Sequence, residues 1–179
     1  MAIITDDDFR DNLILHIAEK MAVAARTAPK GRGIDNLASC ILTGDDIKKL
    51  AKKMIFIGNT VQSPFFLRDA ENIKIASAVL LLGTRIKTTG LAKCGMCGFA
   101  DCSDKEKYPA APCIFNINDL GIAIGSAVSI AADNRIDNRI MYTAGQAALE
   151  LELLGKDVRV AFGIPLSATS KNPFFDRKL

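Results

Sequence analysis

Residues 93–113 read KCGMCGFADCSDKEKYPAAPC and hold four of the five cysteines in a chain of 179 residues. The spacing is Cys94-x2-Cys97-x4-Cys102-x10-Cys113. A C-x2-C pair turns tightly enough for both sulfurs to reach one metal centre. Gly95 and Gly98 each follow a cysteine, where they let the backbone bend and can present N–H groups to sulfur. Four thiolates make the ligand set of either a [4Fe–4S] cluster or a structural zinc ion. Zinc sites tend to use two close pairs or added histidines. Here the third and fourth cysteines stand singly and no histidine is near, which favours the cluster. Bacterial ferredoxin runs place a proline after the last cysteine, whereas Pro112 precedes Cys113. Cys40 lies in the apolar stretch LASCILTG and is expected to be a plain buried thiol.

A second cluster of chemistry-bearing side chains is cationic. Arg26, Lys30 and Arg32 are close in sequence, with glycines between them that expose backbone N–H groups. Such a loop suits an anion, and it equally suits a solvated basic surface. His16 is the only histidine, has no evident partner, and reads as a boundary residue of a helix. No Ser-His-Asp set and no carboxylate pair with distinguishable environments is present. GTRIKTTG at 83–90 lacks the G-K-S/T ending of a phosphate-binding P-loop. No substrate is named by these residues.

The elements that must position these groups follow from periodicity. Thr5 and Asp8 form a capping-box pattern ahead of a helix running to Thr27, with Phe9, Leu13, Ile17, Met21 and Ala24 or Ala25 on its apolar stripe. A short strand at 37–44 precedes a helix at 43–54, whose Ile47, Leu50, Ala51 and Met54 face inward and whose four lysines face solvent. A short helix over 65–73 leads to IASAVLLLG, apolar on both faces and so central in a sheet. The cysteine loop, 84–116, is expected as an insertion in one domain spanning 1–179. The 116–134 segment reads as a long apolar helix with Gly121, Gly125, Ala127 and Ala131, either buried or forming a homodimer interface. A strand at 139–143, a helix at 144–155 and a strand at 156–167 close an α/β sandwich with helices on both sheet faces.

Composition narrows the partners. The 23 basic and 20 acidic residues are interleaved, giving a net charge of +3, and there is no Trp and only two Tyr. This argues against a nucleic-acid surface. Apolar runs are strand-length, so no membrane span is expected. The acidic start lacks the features of a signal peptide. A cytoplasmic location follows, where clustered thiols bind metal more often than they pair.

Two resemblances add to this reading. CGMCGFADC is similar to the C-x-x-C-G-x-x-x-C core of the four-cysteine [4Fe–4S] domain in electron-transport complex subunits and corrinoid iron–sulfur proteins. AARTAPKGRG and the strand and helix after it resemble the nitroreductase family, as do the 119–142 segment and the 158–178 tail. The combination resembles a prokaryotic family of ferredoxin-domain-containing proteins. The resemblance implies an α+β fold: a nitroreductase-like three-layer α/β/α sandwich with a mixed central sheet and a Cys-rich insertion. It also implies a homodimer with FMN at its interface. Arg26, Lys30, Arg32, Lys171 and Arg177 are the cations it offers to a flavin phosphate. Two functions are expected to compete. One is a redox protein passing single electrons between the cluster and a flavin or partner protein. The other is a non-enzymatic protein whose loop is a structural or docking element holding zinc or a cluster.

Overall fold

The computed structural model describes residues 3–175. In chain order it contains α1 (Asp6–Thr27), a 3-10 turn (Gly31–Gly33), β1 (Leu37–Leu42), α2 (Gly44–Thr60), α3 (Pro64–Lys74) and β2 (Ala78–Arg85). Then come α4 (Cys102–Glu106), α5 (Ile114–Asp133), β3 (Asp137–Asn138), α6 (Tyr142–Glu150) and β4 (Val158–Ser167). Asp8 accepts both the N–H (2.8 Å) and the hydroxyl (2.6 Å) of Thr5, which starts α1 where the capping pattern placed it.

The strands lie in the order β1-β2-β4-β3, and every described neighbour pair is antiparallel. The sheet is thus not mixed, which corrects that detail of the expected fold. The cause is the connection. A single crossover helix would return the chain to the start of β1 and make β2 parallel to it. Here two helices, α2 and α3, intervene, and the chain re-enters the sheet running the other way.

β2 is the central strand and is buried along all but its last residue. Its side chains alternate between two cores. Ala78, Leu80 and Leu82 face α1 and α5, while Val79 and Leu81 face α2, α3 and α6. This period of two on a strand apolar on both faces creates the three layers. The buried stripe of α1 is Ile14, Ile17, Ala18, Met21 and Ala25, whereas Phe9 and Leu13 are 45% and 49% exposed. The first turns of α1 therefore overhang the sheet, and the expected stripe is one residue out of phase at its start. His16 is exposed beside Glu19 at 3.3 Å, as a boundary residue should be.

α5 also departs from expectation. Ala123, Ala127 and Ala131 face α1, while Gly121 and Gly125 lie on the opposite, open face. Ala127 thus belongs to the internal face rather than with the glycines, because residues two apart lie on nearly opposite sides of a helix. By length and composition α5 would also suit a bilayer, but it packs on α1 and β2 and carries the buried polar residues Asn116 and Asp119.

α6 approaches β4 unusually closely. A Cβ on Gly145 would collide with the Ala161 carbonyl, and Gly163 lies against the Ala144 methyl. Gly145→Ala should therefore cost about 2 kcal/mol through overpacking, lowering the melting temperature by roughly 4–8 °C. Calorimetry checks this, and an unchanged melting temperature would mean the contact can relax freely.

Candidate metal centre

The segment from β2 to α5 contains only one described helix, the short α4, so side-chain contacts must hold its shape. Three ties fix residues 87–90. The Lys87 N–H donates to the Asn116 Oδ1 on α5 at 2.8 Å, and the Thr88 hydroxyl donates to Glu106 on α4 at 2.5 Å. The Arg32 guanidinium donates to the carbonyls of Thr89 at 2.9 Å and Gly90 at 3.1 Å. Arg32 makes these bonds from a left-handed backbone conformation, φ 57°, which is costly for a residue with a Cβ.

Within this frame all four loop cysteines line one pocket, together with Thr89 and Lys105. Leu91, Ile114 and Phe115 supply apolar wall. Gly95 and Gly98 take φ values of +72° and +89°, so the turn that brings Cys94 and Cys97 to one side needs glycine at both positions. Cys102 opens α4, whose first turn is capped by Asp101 accepting the Asp104 N–H at 2.8 Å. Cys113 is the N-cap of α5 and is buried. Burial alone would push its thiol up. The Thr89 hydroxyl, 3.4 Å away, and the N–H groups of Phe115, Thr89 and Asn116 outweigh burial and hold it below its ordinary value. The site thus favours a thiolate at Cys113.

Among the described residues, no three histidine, cysteine or carboxylate side chains are close enough to grip a single metal ion. A tetrahedral zinc with bonds of about 2.3 Å needs its sulfurs roughly 3.8 Å apart. The donor set here, four thiols around one pocket, is one that an iron–sulfur cluster or a zinc ion takes. Cys40 lies elsewhere, on β1, with its thiol against the Leu153 carbonyl at 3.6 Å and pushed up by burial.

The basic residues of the second candidate site are arranged differently from an open anion clamp. Lys30 spends its ammonium on the carbonyls of Ala25, Arg26 and Ala28 at the end of α1. Arg26 pairs with Asp35 at 2.6 Å and reaches the Leu37 carbonyl. Arg32 holds the cysteine loop. Lys171 follows β4 in the tail, whose residues 168–170 line a groove with Asp6, Phe9 and Arg10 at the start of α1. Arg26 stands at the other end of that helix, about 24 Å away at 1.5 Å per residue. The chain therefore carries Arg26, Lys30 and Arg32 at one end of α1, with the tail before Lys171 at the other. Arg177 lies outside the described residues. Residues that sequence reasoning missed are Thr89, Asn116 and Lys105. Thr89 and Asn116 carry no signal of their own, and Lys105 sits in a charged run that reads as solvated.

Residues 110–177 match a family model described as "Uncharacterized protein containing a ferredoxin domain (DUF2148)". A protein of Archaeoglobus fulgidus is 38% identical over 182 residues, covering 98% of this chain and 97% of its own. The chain belongs to this ferredoxin-domain family. Membership supports a redox role and suggests an iron–sulfur cluster. The matched segment contains Cys113, and the other three loop cysteines precede it.

Among solved structures, nitroreductase CinD from Lactococcus lactis, in complex with nicotinic acid, aligns with a TM-score of 0.62 at 13% identity. That alignment covers 88% of this chain and 79% of CinD. A Desulfovibrio desulfuricans protein in complex with FMN aligns at 0.60 and 11% identity, over 92% of this chain and 79% of its own. Nitroreductase A of Vibrio parahaemolyticus aligns at 0.57 and 13% identity over 92% of this chain, which spans only 62% of that protein. The fold is nitroreductase-like, and at these identities the likeness concerns the fold alone.

The Arg26–Asp35 pair yields a pH prediction. Burial pushes the Asp35 carboxyl up. The hydrogen bond from Arg26, the Leu37 N–H and the charges of Arg26 and Lys30 together bring it below its ordinary value. A carboxylate lowered in this way stabilises the fold above its unfolded value, and the contribution is lost as pH falls through the folded value. The stability gap between wild type and Arg26→Ala should be widest at neutral pH and narrow below about pH 4. Urea titrations across pH measure it. A gap independent of pH would show that Arg26 acts through packing and its bond to Leu37 alone.

Proposed function

We propose that this chain is a cytoplasmic electron-transfer protein that holds a [4Fe–4S] cluster on Cys94, Cys97, Cys102 and Cys113. The observation that carries this reading is the convergence of all four cysteines on one pocket walled by apolar side chains. A reducing cytoplasm suits five cysteines that are all unpaired. Sequence spacing favours the cluster over zinc, because the third and fourth cysteines stand singly and no histidine is near. When bound, such a cluster supplies reversible one-electron transfer.

The chain's own residues would do the rest. Thr89 and the first N–H groups of α5 stabilise the Cys113 thiolate. Leu91, Ile114 and Phe115 limit water at the sulfurs. The turn at 94–98 leaves Met96 68% exposed, offering a redox partner protein a short approach. FMN fits less well. Lys30 and Arg32 already bond backbone carbonyls, and Arg26 is paired with Asp35.

Anaerobically purified protein should be brown and contain iron. Cys97→Ser or Cys102→Ser should lose most of it, while Cys40→Ser keeps it. Iron assay and visible absorbance decide this. Retention in the loop variants, or tight zinc in a colourless protein, would overturn the reading.

Self-association belongs to the same proposal. Gly121 and Gly125 have nothing within 4 Å of where a Cβ would stand, and Ile122 beside them is 40% exposed. A second copy of α5 could approach this face closely, completing a homodimer. Light scattering should give twice the 19.3 kDa chain mass, and Gly125→Arg should shift the protein toward monomer. A monomeric wild type at micromolar concentration would exclude this interface.

A further inference from the structure

Arg32 belongs to a closed ring of contacts that begins and ends on α5. Asp119 on that helix accepts the Gly31 N–H with both carboxylate oxygens, at 3.0 and 3.1 Å. Arg32 follows with φ 57° and donates through its Nη1 to the carbonyls of Thr89 at 2.9 Å and Gly90 at 3.1 Å. Gly90 takes φ +69°, and even a Cβ there would stand 3.4 Å from that nitrogen, so the backbone at 89–90 is shaped for the approach. Thr89, 7% exposed, brings its hydroxyl to the Cys113 Sγ at 3.4 Å. Cys113 is the N-cap of α5, which closes the ring.

A left-handed backbone is costly for arginine, and glycine or asparagine would adopt it more readily. What neither could supply is the guanidinium that grips Thr89 and Gly90. A cysteine bound to iron has given up its proton, so its sulfur can only accept and the Thr89 hydroxyl must donate. We propose that Arg32 is a positioning residue for the metal centre: it fixes the Thr89–Gly90 backbone, aims the Thr89 hydroxyl at the Cys113 sulfur, and so favours the reduced form of the cluster. The inference rests on the cluster reading above. One electron enters from a redox partner protein and later leaves, with no bond made or broken at Thr89. The added negative charge is shared by the sulfurs, so a hydrogen bond to one of them is stronger in the reduced state. Arg32 thus serves the cysteine site from outside, through Thr89, and holds no anion of its own.

The test is a spectroelectrochemical titration of the purified, iron-loaded protein, with iron content measured on the same samples. Thr89→Val keeps the side chain's shape without its hydroxyl. It should retain the iron and shift the one-electron equilibrium about threefold toward the oxidised form, a fall of about 28 mV. Thr89→Ser, which keeps the hydroxyl, should recover most of that shift. Arg32→Asn accepts the left-handed backbone but is too short to reach residues 89 and 90, and should shift the equilibrium in the same direction. The double variant separates positioning from loss of a charge. Arg32→Asn should add little to Thr89→Val, because both act through one bond. An Arg32→Asn effect of equal size with and without the Thr89 hydroxyl would show charge alone and overturn the inference. So would an unchanged equilibrium in either iron-loaded single variant. Should Thr89→Val lose its iron, Thr89→Ala replaces it, and loss from both assigns the hydroxyl to assembly of the site and overturns the inference. These outcomes leave the cluster reading intact, whereas a wild type without iron sinks both.

Discussion

Four thiols around a pocket with apolar walls pose one electrostatic problem, and much of the surrounding structure addresses it. Thiolates repel one another and lose hydration in such a place, so each needs an N–H, a hydroxyl or a cation within reach. Cys113 has the best-defined support: the Thr89 hydroxyl and N–H groups from the first turn of α5. The positive end of a 20-residue helix adds to these direct bonds. Thr89 can serve only while its own backbone is fixed, and that fixing comes from Arg32. A single chain of contacts thus runs from the 3-10 turn after α1 to the sulfur at the start of α5. The strained φ of Arg32 lies at the root of that chain.

α5 has to be anchored for the same reason. A helix that slid or rotated on the sheet would carry Cys113 out of the pocket. Two buried polar residues in its first turns prevent this by bonding to loops. Asn116 holds the Lys87 N–H, and Asp119 holds the Gly31 N–H. Below them, Ala123, Ala127 and Ala131 let α1 pack closely, and the Ser126 hydroxyl reaches the Ala24 carbonyl at 3.0 Å. The central strand β2 divides the core and feeds the chain from the middle of the sheet into the cysteine segment. An otherwise irregular stretch is thereby held between two rigid elements.

Much of this was legible in the sequence. The two-sided apolar run that became β2 required a central position, and Lys48 and Lys49 of α2 sit on its solvent face, paired with Asp45 and Asp46. The cysteine spacing anticipated that Cys94, Cys97, Cys102 and Cys113 would line one pocket. Phase and boundaries were harder to read. α2 runs on to Thr60, past the expected end at Met54, because α3 packs against its last turns through Phe66 and Leu67 at Gly58. The expected strand at 139–143 is reduced to two residues at 137–138 and a bridge at Met141, since α6 begins at Tyr142. The supports of the pocket were invisible for a different reason. Thr89, Asn116 and Lys105 matter through contacts between segments, and no local pattern records which of many similar residues will be buried.

The basic loop marks the limit of reading charge from sequence. Arg26, Lys30 and Arg32 look alike on paper, and an open loop of that composition would attract an anion. Folded, each has a structural task. An ammonium has only three N–H bonds to give, and the ammonium of Lys30 contacts three carbonyls at the end of α1. Recruiting it to a phosphate would uncap the helix. Drawing Arg32 away would free the carbonyls of Thr89 and Gly90 and loosen the loop that supports Cys113. An anion bound at residues 26–32 would therefore compete with closure of the cysteine pocket. Lys105, whose side chain also lines the cysteine pocket, lies in a run of residues whose composition resembles ordinary solvated surface.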